Sequence, residues 1–553
     1  MLLRDTAKLG DMHDAVAVEA PKRKLPVVAA ARASAPTLAE VSLVMASALL
    51  LILSFPNFEL WPLAWIGLVP FLLVTARPLK AGRALLLGWL WGAVFFYGTC
   101  WWLTYPMIHY AHISAWLAYP LLVVPISLVA LFPALFSLFL SRLVARFGLG
   151  AIFAAPLLWV SCEWARYEVT GQLWNALGYS QAFHPLLIQP ARWGGVYAIS
   201  FLLLTINVAI AFIVLRRSAA AVILSLALLI LTALALAGAF GQAITKPVLS
   251  KATSTLVIAV QPYVPMEGSD DPAAMERLLN RHLELSLQGL HNQSADAFAN
   301  RLVIWPESPM NFSYSRDPHL RDVITNFARS NHTFVLLNSL EPAPNEGGYN
   351  SAVMINEEGR IVAQYDKIRL MPFGEYVPLP HWLPGASSVR GIVGDFTPGR
   401  SYTLMPLGAF RAGVFICIEA AHPGVARAFT GAGAEVLINI SNDGYLGPTP
   451  VMRQHLANAI FRAVENNRLL LRVTNNGISA YIDPSGKVME ETSGFEATVR
   501  AWPVRQNTEA RTFYTAHGDL LAYACALITL GLISATFMTR RKRFRNSVSE
   551  ARP

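Results

Sequence analysis

Charge is scarce in this chain. Only 14% of its 553 residues are Asp, Glu, Lys or Arg, where a soluble enzyme carries nearer a quarter. With 54% hydrophobic residues and a mean hydropathy of +0.42, a membrane protein with a soluble part is implied. Cysteine is scarce too: Cys100, Cys162, Cys417 and Cys525 are the four. Three lie in or beside apolar runs and none forms a CxxC pair, so neither a disulfide framework nor a metal site is expected. Neither G-x-G-x-x-G nor G-x-x-x-x-G-K occurs, so no cofactor is indicated. The net charge of +9 does not point to nucleic acid, because the cations cluster at the ends of apolar runs.

Those runs are read as eight spans, near 41–55, 61–76, 84–105, 115–140, 151–164, 194–215, 219–240 and 520–538. A spanning helix needs about 20 apolar residues, so the first, second and fifth must extend into their flanks or tilt little. Arg77, Lys80 and Arg83 follow the second run, Arg142 and Arg146 the fourth, and Arg216 and Arg217 the sixth. Arg540, Arg541, Lys542, Arg543 and Arg545 follow the eighth. The short loops 56–60 and 106–112 lack Lys and Arg. The positive-inside rule then places both termini in the cytoplasm and the insert 251–505 on the outer side. The expected organisation is a flexible cytoplasmic tail (1–38), a membrane domain (39–245), an outer domain (251–505), a last span (515–540) and a basic tail (541–553). No cleaved signal is read at the start. Glu163 and Arg166, beside Cys162, read as an interfacial ion pair at a helix end, although charge inside a membrane is a functional candidate by default. The aromatic loop 170–193 is expected to form part of a lipid-facing rim at the outer surface.

The insert alternates strand and helix patterns. Strands are expected at 256–261, 302–307, 333–338, 350–355, 361–365, 414–418, 436–440, 470–474 and 478–482, and helices at 271–293, 318–330 and 451–466. Ser269 or Asp270 is the candidate N-cap of the first helix, and Asn475-Asn476-Gly477 reads as a hairpin turn. The pattern specifies an α/β domain with a mixed sheet.

Three polar residues close apolar strands here: Glu307 after LVIWP, Lys367 in YDKIRL, and Cys417 in VFICIE. A cysteine in an apolar run is ordinarily an inert small hydrophobe. Joined to a carboxylate and an ammonium at neighbouring strand ends, it becomes a candidate nucleophile. Glu307 suits the general base and Lys367 the stabiliser of a tetrahedral oxyanion, aided by a backbone N–H near Ile418. A carboxylate at Glu419 would share the face of Cys417 if the strand continued. The reaction class is acyl transfer through a thioester. His455 reads equally as a packing residue or a catalytic one.

WPES at 305–308, YDK…PFGEYVP at 365–378 and CIE at 417–419 resemble the Glu-Lys-Cys signature of the carbon–nitrogen hydrolase (nitrilase) superfamily. With the eight runs, and with FPNFELWPLAWIGLVPFL, LGYSQ, GDFTPG, SND and RVTNNGISAYIDPSGKV, the chain resembles the membrane-bound branch of that superfamily, the apolipoprotein N-acyltransferases. The resemblance implies an αββα sandwich on a helical membrane domain in the bacterial inner membrane. It implies a ping-pong reaction: a phospholipid, typically phosphatidylethanolamine, acylates Cys417, and the chain passes to the amino terminus of a diacylated apolipoprotein. It implies supporting roles for Glu375 and Glu419, places Asn350 near the site, and leaves Tyr445 and Tyr376 as candidate substrate contacts. The chain departs from the family pattern at Ile418, at Tyr445 and at Gln261-Pro262-Tyr263. A membrane-anchored amidase using water, and a non-enzymatic lipid-binding or transport protein, are the alternatives. Nothing demands a partner subunit, so a monomer is expected.

Overall fold

The computed structural model describes residues 35–56, 58–244, 255–266, 271–292, 298, 300–344, 347–377, 396–408, 410–506 and 510–549. Nearly all of the expected N-terminal tail, with the N-cap candidates Ser269 and Asp270, lies outside these residues.

The apolar runs fold as helices with identifiable ends. Leu38–Ser54 opens on a capping box, in which the Thr37 hydroxyl accepts from the Glu40 N–H and the Glu40 carboxylate accepts from the Thr37 N–H. Five helices among the described residues are long and apolar enough to cross a membrane: Ala81–His109, Ala115–Phe147, Ala191–Arg216, Ala219–Gly238 and Leu520–Phe537. Leu38–Ser54 and Trp61–Thr75 are apolar but shorter, so length and composition alone do not reach the expected eight. The second run is broken into a 3-10 turn, Trp61–Trp65, and a short helix, Val69–Thr75. Asn207 repairs the break, accepting from the Leu68 N–H at 2.8 Å and donating to the Ala64 carbonyl at 3.0 Å. A buried backbone out of reach of water needs such partners. The fifth run becomes Ala155–Thr170, whose final turns carry Glu163, Arg166 and Glu168.

Twelve strands form two six-stranded sheets. The first holds β1 (Thr255–Gln261), β2 (Asn300–Ile304), β3 (Phe334–Pro342), β4 (Gly348–Ile355), β5 (Ile361–Asp366) and β12 (Thr498–Val504) in the order β12-β1-β2-β3-β4-β5. The second holds β6 (Leu404–Leu407), β7 (Phe410–Ile416), β8 (Val436–Ser441), β9 (Leu469–Thr474), β10 (Ala480–Ile482) and β11 (Val488–Glu491) in the order β11-β10-β9-β8-β7-β6. Each sheet is parallel at its centre, along β1-β2-β3 and β7-β8-β9, and antiparallel at its margins. The central strands are buried on both sides, which is why they read as unbroken apolar runs. Helices Pro272–His291 and Pro318–Asn331 pack on the first sheet, and Pro423–Ala432 and Val451–Asn466 on the second. Asp271 caps the first of these helices, its carboxylate accepting from the N–H groups of Ala273 and Ala274. The loop joining β9 to β10 is longer than a two-residue turn, because Arg472 pairs with Ala480.

The two parts of the molecule are bolted together. Val451–Asn466 is buried along its length and packs on Ala191–Arg216. From its first turn, Gln454 accepts from the indole N–H groups of Trp102 (3.2 Å) and Trp174 (2.8 Å) and donates to the carbonyls of Pro56 (3.2 Å) and Thr99 (2.9 Å). Arg453 grips both oxygens of Glu59 at 2.8 and 3.1 Å and lies 3.9 Å over the Phe183 ring. One expectation is narrowed here and one corrected. Most of the loop 170–193 cannot face lipid, because Leu173, Trp174, Leu177, Tyr179 and Gln181 are buried, while Leu186 and Trp193 stay exposed. Nor, among the described residues, do Glu163 and Arg166 form an ion pair. Glu163 accepts from the Trp159 indole and the Leu177 N–H, and Arg166 donates to the carbonyls of Gln172 and Trp174. Each is spent on the backbone of that loop.

Candidate active site

Glu307, Lys367 and Cys417 all sit just past the C-terminal ends of strands: three residues beyond β2, and immediately beyond β5 and β7. Lys367 is 1% exposed. Its Nζ lies 2.9 Å from Glu375 Oε1 and 3.5 Å from Glu307 Oε1. Burial opposes the charge, but Glu307 and Glu375 outweigh it and hold the ammonium well above the usual lysine range. Asn350 joins the two carboxylates, donating to Glu307 at 2.9 Å and Glu375 at 2.6 Å, while its own oxygen accepts from Asn338 at 2.6 Å. The second oxygen of Glu307 accepts from the Asn442 N–H, and that of Glu375 from the Met371 N–H. The carboxylate expected to serve as base is thereby oriented from three sides.

Cys417 departs from the strand it was read into. β7 ends at Ile416, and Cys417 takes φ +51° at the head of a 3-10 turn, Cys417–Ala421. A side chain in this left-handed region is uncommon and is held there by its surroundings. The Cys417 carbonyl lies 3.0 Å from His455 Nε2 and accepts from Asn439 Nδ2 at 3.4 Å. His455 Nδ1 lies 2.9 Å from Asp443 Oδ1, and both Asp443 oxygens accept from Arg472, which also donates to Asn439. Burial notwithstanding, Arg472 and His455 hold the Asp443 carboxyl well below the usual range. His455 thus braces the turn from behind. Burial pushes the Cys417 thiol up, Glu307 adds to this, and the Lys367 ammonium opposes it, a balance that favours the thiol over the thiolate.

The strand's early end also relocates Glu419. It does not share the thiol's face. Fully buried, it accepts from Tyr365 Oη (2.8 Å), from the N–H groups of Ile368 (2.9 Å) and Arg369 (3.0 Å), and from the Ile416 N–H (2.8 Å). It ties the segment after Lys367 to the end of β7. Tyr445 stacks on Tyr110 of the membrane part, centroids 5.0 Å apart, so its ring is engaged in the joint between the two parts. Tyr376 faces a cavity beside the site. Gln261 is buried and donates to the carbonyls of Ser493 and Glu496, so that departure from the family pattern has a structural use; Tyr263 follows it at φ +53°. All four cysteines are free thiols.

Asn439, Asp443 and Arg472 escaped the reading of the sequence as site residues. For Asn439 and Arg472 the signal was present: VLINIS and LLLRVT each place a polar or charged residue inside a fully buried strand, where it must be paired.

The description Apolipoprotein N-acyltransferase N-terminal domain matches residues 47–209, and Carbon-nitrogen hydrolase matches residues 270–510. An apolipoprotein N-acyltransferase of Geobacter metallireducens is 33% identical over 514 residues, 90% of this chain and 94% of its own. The chain belongs to the apolipoprotein N-acyltransferase family. Other apolipoprotein N-acyltransferases, of Allorhizobium ampelinum and Chlorobaculum tepidum, are 32% and 28% identical over 81% and 88% of this chain and 86% and 95% of their own. As a member of the apolipoprotein N-acyltransferase family with a carbon–nitrogen hydrolase domain, this chain is an acyltransferase.

Proposed function

We propose that this enzyme transfers an acyl chain from a membrane phospholipid, through a thioester on Cys417, to the α-amino group of the diacylglyceryl-cysteine that begins an apolipoprotein. The observation that carries the reading is the largely buried Glu307–Lys367–Glu375–Asn350 cluster beside the left-handed Cys417, set on a membrane-type helical platform. Glu307 takes the thiol proton as Sγ attacks the sn-1 ester carbon. The oxyanion forms toward the Lys367 ammonium and the N–H of Ile418. Its collapse breaks the ester C–O bond, and Glu307 returns the proton to the departing lysophospholipid alkoxide. In the second half, the apolipoprotein amine attacks the thioester, yields a proton to Glu307, and releases the cysteine sulfur, which recovers it. A bacterial inner membrane with the active site on the outer side, eight spans and a monomer complete the reading.

The experiment is to load the purified enzyme with phosphatidylethanolamine alone. The expected result is a mass gain of one acyl group on Cys417, removed by neutral hydroxylamine and discharged by a diacylated lipopeptide with a free amino terminus. Glu307→Gln should block loading, because an amide cannot take the thiol proton. Acylation at Cys100, Cys162 or Cys525, full loading of the Glu307→Gln protein, or release of fatty acid with no peptide product would overturn the mechanism.

A further inference from the structure

The turn Cys417–Ala421 is held at its head, where the Cys417 carbonyl meets His455 and Asn439. Its tail lacks a donor. In a 3-10 turn the Ala420 carbonyl would accept from the N–H three residues on, but that residue is Pro423, which has none. Ala420 is fully buried, so water cannot fill the place. Arg462 does: its Nη1 donates to the Ala420 carbonyl at 3.1 Å. His455 and Arg462 lie seven residues apart on helix Val451–Asn466. Seven residues make two helical turns, so both side chains leave one face, about 10 Å apart. One helix face thus holds both ends of the nucleophile turn.

A guanidinium can fix a carbonyl only if it is itself fixed. Arg462 and Glu465 are both fully buried, and Arg462 Nη2 donates to Glu465 Oε1 at 2.7 Å. Burial opposes the charge on Arg462, and Glu465 more than offsets it. Glu465 is anchored in turn to the apolar part. Helix Ala191–Arg216 is broken at Gly194 and Gly195, so the Val196 N–H heads the continuing helix, where an N–H has no partner within the helix. Glu465 Oε1 accepts from it at 3.0 Å. The Thr512 hydroxyl reaches the Glu465 carbonyl from the segment that leads into the last helix. A chain of contacts, Val196–Glu465–Arg462–Ala420, therefore runs from the break in an apolar helix to the turn that carries the thiol.

We propose that Arg462, seated by Glu465, is a positioning residue for acyl transfer: it fixes the far end of the nucleophile turn, and with it the placement of the Cys417 thiol against Glu307 and Lys367. The proposal rests on the thioester reading above.

The test separates placement from folding. Arg462→Met strands the Glu465 carboxylate in the interior, and losing one partner of a buried pair is destabilising. Arg462→Met combined with Glu465→Gln removes both charges, while the amide oxygen can still accept from the Val196 N–H. The melting temperature is expected to fall in the single variant and to return most of the way in the double. The rate constant for acyl loading from phosphatidylethanolamine, read per folded molecule by intact mass, should fall about tenfold or more in both, the weight of a hydrogen bond to a charged group. The phospholipid concentration at half-maximal rate should not move. Hydrogen exchange across residues 417–421 should quicken in both variants, while exchange in β8 keeps the unmutated rate in the double. A loading rate that recovers along with stability in the double variant, or unchanged exchange in the turn, would overturn the proposal and make the pair purely structural. Exchange needs no lipid, so the two readings fail separately: if the unmutated enzyme does not load Cys417, the thioester reading falls and the exchange result alone decides whether Arg462 holds the turn.

Discussion

Lys367 is buried between two carboxylates, and its removal has two separable consequences. Lys367→Met leaves Glu307 and Glu375 close together with Asn350 as their only shared donor. Breaking a buried pair costs about 3–5 kcal/mol, reduced if one carboxyl takes up a proton. The variant should melt several degrees lower yet remain folded, and acyl loading should fall by about 10²–10³ or more, the weight of an oxyanion donor. Near-normal loading in a correctly inserted protein would make Lys367 structural. Asp443 is expected to act at one remove. Asp443→Asn takes the counter-charge from the fully buried Arg472 and loosens the brace on the Cys417 carbonyl. Stability should drop by about 3–5 kcal/mol, and loading should slow in protein that still folds. A thermal-melt series and intact-mass kinetics on the same samples check both effects; loss of neither would leave the brace without a role.

The elements show why some of this was legible in advance. Continuous apolar runs marked β1, β2, β7, β8 and β9 because those strands are buried on both faces, and helix 451–466 was read with its observed bounds. The polar residues at strand ends stood out against those runs, so Glu307, Lys367 and Cys417 could be found together. Local pattern could not show that β7 stops one residue before the cysteine. That break is imposed by Glu419 folding back onto the Ile416 N–H and by His455 and Asn439 holding the Cys417 carbonyl, contacts made across the fold. The buried part of the loop 170–193 was not legible for a related reason: aromatic residues serve a lipid face and a protein joint equally well in sequence. The joint at Tyr445 gives a test at this scale. Tyr110 Oη donates to the Gly444 carbonyl at 3.3 Å, and Gly447, at φ +68°, lets Tyr105 approach so closely that a Cβ there would sit 2.3 Å from its ring. Tyr110→Ala should slow transfer to a lipopeptide by a few-fold to about tenfold, in keeping with about 0.5–1.5 kcal/mol for an aromatic pair. Tyr110→Phe should come close to wild type, and Gly447→Ala should be the most damaging of the three. Single-turnover transfer rates would rank them, and the reverse order would remove this joint from the catalytic account.

At the scale of the whole molecule, the basic loops predict an orientation. A reporter fused after Arg217 should be cytoplasmic and one inserted near Pro344 outside; a cytoplasmic signal from the second would overturn both the orientation and the assignment of substrates. The fastening of the two parts has a consequence for how such an enzyme chooses its acceptors. Gln454 and Arg453 anchor the second sheet to the backbone and side chains of the apolar helices and their loops, so on the proposed function the Cys417 thiol would be carried at a constant height above the bilayer. An acceptor held by its own lipid anchor presents its first residue at a constant height as well. Under that proposal selection would be made by altitude: any mature sequence, of any size, would qualify if its amino group rode at that level, and a soluble peptide with the same terminus would not.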